Sequence, residues 1–286
     1  MTVPAAVSRP FHGLVRRFLR HRGAVAGTVI LALVLAAALG ASLLFPGDPF
    51  QTVSRPFERP LGDHLFGTDV LGRSVTAGIA HGARASLAIG VTATVAEVSI
   101  GTLLGALAGY YGGRVDYGLM RLTEFFQIIP TFLFAILLVA ILSPSIGHII
   151  VAISLVSWPP IARLVRGEFL AMRAREFVQA CVGLGMSDRR IMFAQILPNC
   201  LSPIIVTGSL TVATAILTES ALSFLGLGDP NVISWGFMIG AGRTHLRTAW
   251  WLSAIPGIAI LLTVLAINLV GEGLNDALNP RLRSEG

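Results

Sequence analysis

Glu97 and Glu219 are the side chains best placed to do chemistry in this sequence, because each lies inside a long apolar run. An ionisable group among apolar neighbours is costly. It marks an ion or proton route, or a hydrogen-bonded tie to a neighbouring helix. Glu97 stands near the middle of the run from Ser86 to Gly109, and Glu219 near the end of the run from Leu201 to Ala221. Glu272 follows a further run that ends at Gly271. A protein coupling protons to solute movement would use carboxylates of this kind. Asp229 follows Gly226-Leu227-Gly228. Acid–base work by paired carboxyls needs a second aspartate at the same depth, and no other aspartate lies in an apolar run. With Pro230 next, Asp229 is expected to cap a helix end. His64 and His81 are isolated on a polar stretch, and Cys181 and Cys200 lack a metal-ligand spacing, so no metal site is expected. All 21 basic residues are arginine. A phosphate-binding loop of the form Gly-x-x-x-x-Gly-Lys needs a lysine, so the chain is not expected to hydrolyse ATP. No catalytic residue is assigned.

The elements that hold these residues follow from composition. Hydrophobic residues make up 54% and charged residues 13% of the 286, with a mean hydropathy of +0.76. Soluble domains carry about 25% charged residues, so the expectation is an all-α polytopic membrane protein with six transmembrane helices. Residues 1–22 carry Arg9, Arg16, Arg17, Arg20 and Arg22 ahead of the first span, 23–45. That cluster puts the N-terminus in the cytoplasm. The span is too long for a signal peptide's apolar core and has no clear cleavage site, so it is retained. The segment 46–85 is extracytoplasmic, and Pro46, Pro49, Pro56 and Pro60 argue against regular structure in its first half. Residues 70–84 are expected as a helix lying at the interface. A transmembrane domain, 86–273, and a cytoplasmic tail, 274–286, complete the chain. Gly101, Gly105 and Gly109 recur every four residues in the second span, a pattern that lets helices pack closely in lipid. Residues 110–121 are expected as a turn. Residues 125–162 are free of charge, enough for two spans joined at 143–147, with a kink at Pro130 and a break at Pro159-Pro160. Trp250 and Trp251 are expected as interface anchors of the sixth span. By this layout fifteen arginines fall inside and six outside, with both termini cytoplasmic. The net charge of +6 therefore reads as a topology signal, with no nucleic-acid partner.

Between the fourth and fifth spans lies the longest polar stretch, 163–198. Residues 172–184 have helical composition; Gly183 and Gly185 end that helix, since glycine tolerates the left-handed conformation. Ser187 or Asp188 caps a second helix, which is expected to stop near Pro198. The small residues Ala180 and Cys181 would allow another surface to approach closely.

Several of these stretches resemble the permeases of ATP-binding-cassette importers. Gln179, Ala180, Cys181, Gly185, Leu197 and Pro198 stand where that family has its Glu-Ala-Ala, glycine and Leu-Pro loop. Gln179 replaces the acidic residue and Cys181 the second alanine. Any ion pair of the family's glutamate is therefore absent or moved to Glu176, one turn earlier. Phe66-Gly67-Thr68-Asp69, Leu71-Gly72-Arg73 and Gly82-Ala83-Arg84 resemble the entry motif of dipeptide, oligopeptide and nickel importers, with Ser74 in place of the usual aspartate. Glu219 to Gly228, with Leu222-Ser223-Phe224-Leu225-Gly226-Leu227-Gly228, is similar to their C-type permease subunit. The resemblance implies a type I importer (MetI-like) permease fold in a prokaryotic cell membrane. It implies three kinds of partner besides membrane lipid: a homologous second permease, cytoplasmic ATPase subunits holding ATP and Mg, and an extracytoplasmic substrate-binding protein. It makes 163–198 the ATPase-coupling loop, with Glu176, Gln179, Ala180, Cys181, Gly185, Ser187, Asp188, Leu197 and Pro198 as its site residues. Peptide is the expected cargo, and relatives carry nickel or haem. A proton-coupled transporter using Glu97 and Glu219 is the alternative from another class. Gly226 to Asp229 also matches the Gly-x-Gly-Asp of intramembrane aspartyl proteases, but the missing second aspartate argues against that chemistry.

Overall fold

A computed structural model describes residues 17–278. The basic residues Arg9 and Arg16 and the C-terminal run 279–286 lie outside the described residues. Five helices are long and apolar enough to cross a membrane, and a sixth crossing is available if one sharply bent pair counts as a single span. They are α1 (Arg22–Leu44), α2 (Val75–Tyr111), the pair α3 (Gly113–Ile128) and α4 (Thr131–Leu142), α5 (Ile146–Arg173), α7 (Leu197–Leu222) and α9 (Trp251–Leu278). Two short helices, α6 (Glu176–Gly183) and α8 (Trp235–Gly242), sit at opposite ends of the bundle.

The core is the α2–α5 pair, and three glycines explain its closeness. A Cβ on Gly101 would stand 2.7 Å from Ile161 Cβ, one on Gly109 would stand 2.6 Å from Phe169 Cβ, and one on Gly105 would meet the Ala162 carbonyl. With no side chain at these three turns, the two backbones pack directly. Around this seam Ile161, Val165 and Phe169 of α5 bury against Ile196, Cys200 and Ile204 of the α7 stretch. Antiparallel α1 and α9 meet in the same way, Gly27 facing the Ala266 carbonyl. Arg84 of α2 then ties α1 down, donating to the carbonyls of Ala38 and Leu39 and to Ser42 Oγ.

Several expected boundaries move. The interfacial helix expected over 70–84 and the span expected from Ser86 form one 37-residue helix from Val75. No proline interrupts it, and Ser74 caps it, accepting from Ala77 N at 3.3 Å. The expected turn over 110–121 is confined to Gly112, whose φ of +67° ends α2, and α3 begins at once. The Pro130 kink is larger than a kink: α3 and α4 meet at 81°. Arg166 of α5 braces α3 by a two-pronged ion pair with Asp116, Nη2 lying 2.6 Å from Oδ2.

Pro159-Pro160 do not break α5, nor does Pro198 end a loop helix. A proline removes one helical hydrogen bond, and a packed neighbour can hold the helix through it. At Pro198 the chain is already π-helical over Ile191–Ile196, which shifts the hydrogen-bond register before the imino ring arrives. Asp188–Leu227 is thus one 40-residue helical stretch, uninterrupted as far as the kink at Gly226. Trp250 is exposed, but Trp251 is buried and donates from Nε1 to the Thr68 carbonyl at 3.4 Å, so it anchors the 46–74 segment rather than a membrane surface. That segment is irregular as expected, held by isolated bridges at Thr52–Arg73 and Thr68–Ser74.

Candidate functional site

The first candidate region is the α6 end of the bundle. α5 stops at Arg173 and α6 starts at Glu176, so the single helix expected over 172–184 is two. Gln179 explains part of the join: its Nε2 donates to the Arg173 carbonyl at 3.0 Å, satisfying the end of α5. A carboxylate has no proton for that bond. Glu176 makes no ion pair among the described residues. Gly185, at φ +74°, closes α6: its N–H donates to Val182 O at 2.9 Å and Met186 N to Cys181 O at 3.1 Å. This pattern of paired bonds needs a left-handed residue. Ser187 is at the N-cap of the next turn but makes no capping bond. Asp188, the other expected cap, accepts from Tyr110 Oη at 2.8 Å and so pins the helix start to α2.

α6 is docked by Val178, its one fully buried side chain, which sits with Ile191 and Met192, and by half-buried Cys181 against the same cluster. Its opposite face carries Phe177, Ala180 and Leu184, all exposed, with Leu184 at 82%. Cys181 is half-buried beside that face, and Cys200 is fully buried within the bundle; both are free thiols. Leu197 and Pro198 belong to the α7 stretch and not to a loop.

The second region is the far end. Glu219 is buried and its Oε1 accepts from Ser223 Oγ at 2.8 Å and Ser234 Oγ at 2.7 Å. Ser234 also accepts from Phe237 N at 3.0 Å and caps α8. One carboxylate therefore joins α7 to the start of α8. Trp235 locks the same helix onto α2, its backbone N–H on Ser86 Oγ at 3.1 Å and its indole N–H on Ile79 O at 3.0 Å. α7 ends through a π-helical turn, Ser223–Leu227, with Gly226 at φ +89°. Asp229 caps α5, accepting from Ile146 N at 3.0 Å.

Glu97 is different. It is 0% exposed, and among the described residues neither carboxylate oxygen has a hydrogen-bond partner, nor does neighbouring Thr94 Oγ1. Glu97 and Glu219 are thus not a pair: one is a structural tie, the other a buried group with its hydrogen bonds unmade. Glu272 is exposed near the described end of α9. His64 lies 3.8 Å from Glu58 and His81 Nε2 is 3.1 Å from the Phe45 carbonyl. Among the described residues no three potential ligands cluster for a metal.

Residues 101–284 match the model of the binding-protein-dependent transport system inner membrane component, and residues 9–60 match the N-terminal transmembrane domain of oligopeptide transport permease C. The chain belongs to the binding-protein-dependent transport permease family. This permease is 38% identical over 283 residues to the di/tripeptide transport system permease of Pseudomonas aeruginosa, covering 96% of this chain and 93% of the relative. It is 39% identical over 282 residues to a glutathione transport system permease of Pectobacterium atrosepticum, covering 98% and 94%. It is 38% identical over 272 residues to an oligopeptide transport system permease of Haemophilus influenzae, covering 94% and 88%. The permease's Asp116–Arg166 brace, its Ser234 cap and its Gln179 contact were missed by sequence reasoning. Only Ser223, one turn after Glu219, carried a local signal.

Proposed function

We propose that this permease is one of two transmembrane subunits of an ATP-driven importer of di- and oligopeptides. Its partners would be a homologous permease, cytoplasmic ATPase subunits that hold ATP and Mg, and an extracytoplasmic binding protein. The carrying observation is the exposed face of α6. A short helix, tied at its start by the Gln179 side chain and at its end by backbone bonds, and docked through Val178 and Cys181, offers Phe177, Ala180 and Leu184 outward at a pole rich in arginine. Apolar side chains exposed beside a small residue suit a close protein contact. That pole is the cytoplasmic one by the arginine balance, and the occupant is the ATPase. Binding of ATP would favour one arrangement of the ATPases over another, and α6 would hand that preference to the spans. The relatives' names support peptides as the cargo class.

The test is purification of the tagged chain from its native membrane in mild detergent, with companions identified by mass spectrometry. A second permease, ATPase subunits and a binding protein are the expected companions, and Leu184→Asp should lose the ATPase subunits alone. A chain recovered by itself, even after cross-linking, would overturn the reading and turn attention to proton coupling through Glu97.

A further inference from the structure

α7 carries a line of open polar side chains along one edge. Thr207, Thr211, Thr214 and Thr218 recur at helical spacing and are all at least partly open on the surface of the chain. Pro203, Asn199 and Gln195 continue the line towards α6. At about 1.5 Å per residue, Gln195 to Thr218 extends about 34 Å, the thickness of a bilayer's hydrocarbon layer. No charged residue stands on this line.

The backbone adds acceptors to the same edge. Pro203 has no N–H, so the Asn199 carbonyl one turn earlier has no helical donor. The hydroxyls of Thr211, Thr214 and Thr218 each donate to the carbonyl of the preceding threonine on the line at 2.8 Å. Their protons are spent inside the helix, and their lone pairs remain open. Asn199 Nδ2 likewise bonds Gln195 O at 2.6 Å, leaving its side-chain oxygen free. From Pro203 to Thr218 the edge is therefore rich in hydrogen-bond acceptors, and the Gln195 and Asn199 amides add donors at its α6 end.

Its neighbours show that this is not ordinary lipid-facing surface. Leu210 and Leu217 form a separate exposed edge of α7, and Leu210 touches the α9 side at Gly271. The exposed middle of α1 is Val29, Leu33, Leu35 and Leu39, and that of α9 is Ile258, Leu261, Leu262 and Leu265. Thr28 and Asn268 are exposed there too, but each stands alone within about three turns of a helix end. Of these three helices, α7 is the one on which polar groups follow one another across the whole thickness among the described residues.

We infer that this α7 edge lines the water-filled route through the assembled transporter, and that it receives solutes through their N–H groups. The inference rests on the two-subunit reading above. Amide and ammonium donors, as in a peptide backbone, would find acceptors at every turn. A neutral lining makes no ion pair, so it would discriminate little between acidic and basic side chains of the cargo.

The test uses the transporter assembled in its native membrane, with Cys181→Ser and Cys200→Ala as the background. Single cysteines replace Thr207, Thr211, Thr214 and Thr218 on the edge, and Leu210, Leu217 and Leu261 off it. A charged, membrane-impermeant methanethiosulfonate is the probe. Thiols in water ionise and react, whereas thiols in lipid meet neither condition, so edge positions should label at least about tenfold faster than the leucine positions. Equal labelling of both sets, or labelling of neither while a cysteine at exposed Leu61 reacts, would overturn the inference. Co-purified ATPase is scored on the same samples, so failure of the importer reading is seen separately from failure of the edge. As a second readout, Thr211→Val with Thr214→Val keeps side-chain volume and should lower dipeptide uptake about tenfold with assembly intact; unchanged uptake would count against the lining role.

Discussion

Glu97 and Glu219 show how two chemically identical side chains acquire different roles from their surroundings. Glu219 accepts from Ser223 and Ser234, so its removal strands two buried hydroxyls. Glu219→Ala should destabilise the permease by about 2–4 kcal/mol, read as a lower unfolding temperature in detergent. Glu97 has no hydrogen-bond partner to lose among the described residues. Glu97→Gln should leave the unfolding temperature unchanged or raise it, and a larger drop than that of Glu219→Ala would refute the assignment of roles. The sequence marks both carboxylates, because a charge inside an apolar run is conspicuous in any window. It does not tell them apart, because Ser234 reaches Glu219 across the loop between α7 and α8 and only the fold brings it there. Gln179 teaches the same lesson. Its type is plain in the sequence, but its use as a donor to Arg173 depends on where α5 stops.

Elements are held by glycines of two kinds, and substitution should separate them. Gly105 lies in contact with α5, so Gly105→Leu must push two helices apart and should cost about 3 kcal/mol or more. Gly118, in the interior of α3, has nothing within 4 Å, and Gly118→Ala should stabilise by about 0.5–1 kcal/mol. Unfolding temperatures of the two variants in one detergent make the comparison. Gly185 also faces open space, yet its φ of +74° and its bond to Val182 are needed to end α6. Gly185→Pro should therefore abolish ATP-driven uptake while the chain remains in the membrane fraction, and normal uptake would contradict the proposed coupling. The four-residue glycine spacing and the turn glycine are legible because each leaves a pattern in the sequence. The helices that pass through Pro159-Pro160 and Pro198 are not, because local rules forbid what packing and a π-helical offset permit.

At the scale of the molecule, gaps between charges disclose the number of crossings better than their limits. The apolar runs correspond to five long helices and the bent α3–α4 pair, but Pro130 announces only a kink and not an 81° turn, and α3 is braced at its start by Asp116–Arg166. That brace is invisible in sequence, its partners standing fifty positions apart. If α3 is held by it, Asp116→Ala and Arg166→Ala should be non-additive in unfolding free energy by about 1–3 kcal/mol, and simple additivity would show the pair to be idle. The helical stretch from Asp188 to Leu227 has a mechanical meaning of its own. It begins beside α6 and finishes at the Glu219 tie to α8, with a π-helical joint near each extremity. A packed helix is stiff along its axis, and compliance gathers where its hydrogen-bond register changes. Such a stretch would act as a connecting rod with a knuckle at either end, and a shove at one pole would arrive at the other as displacement, with no relay of side chains in between.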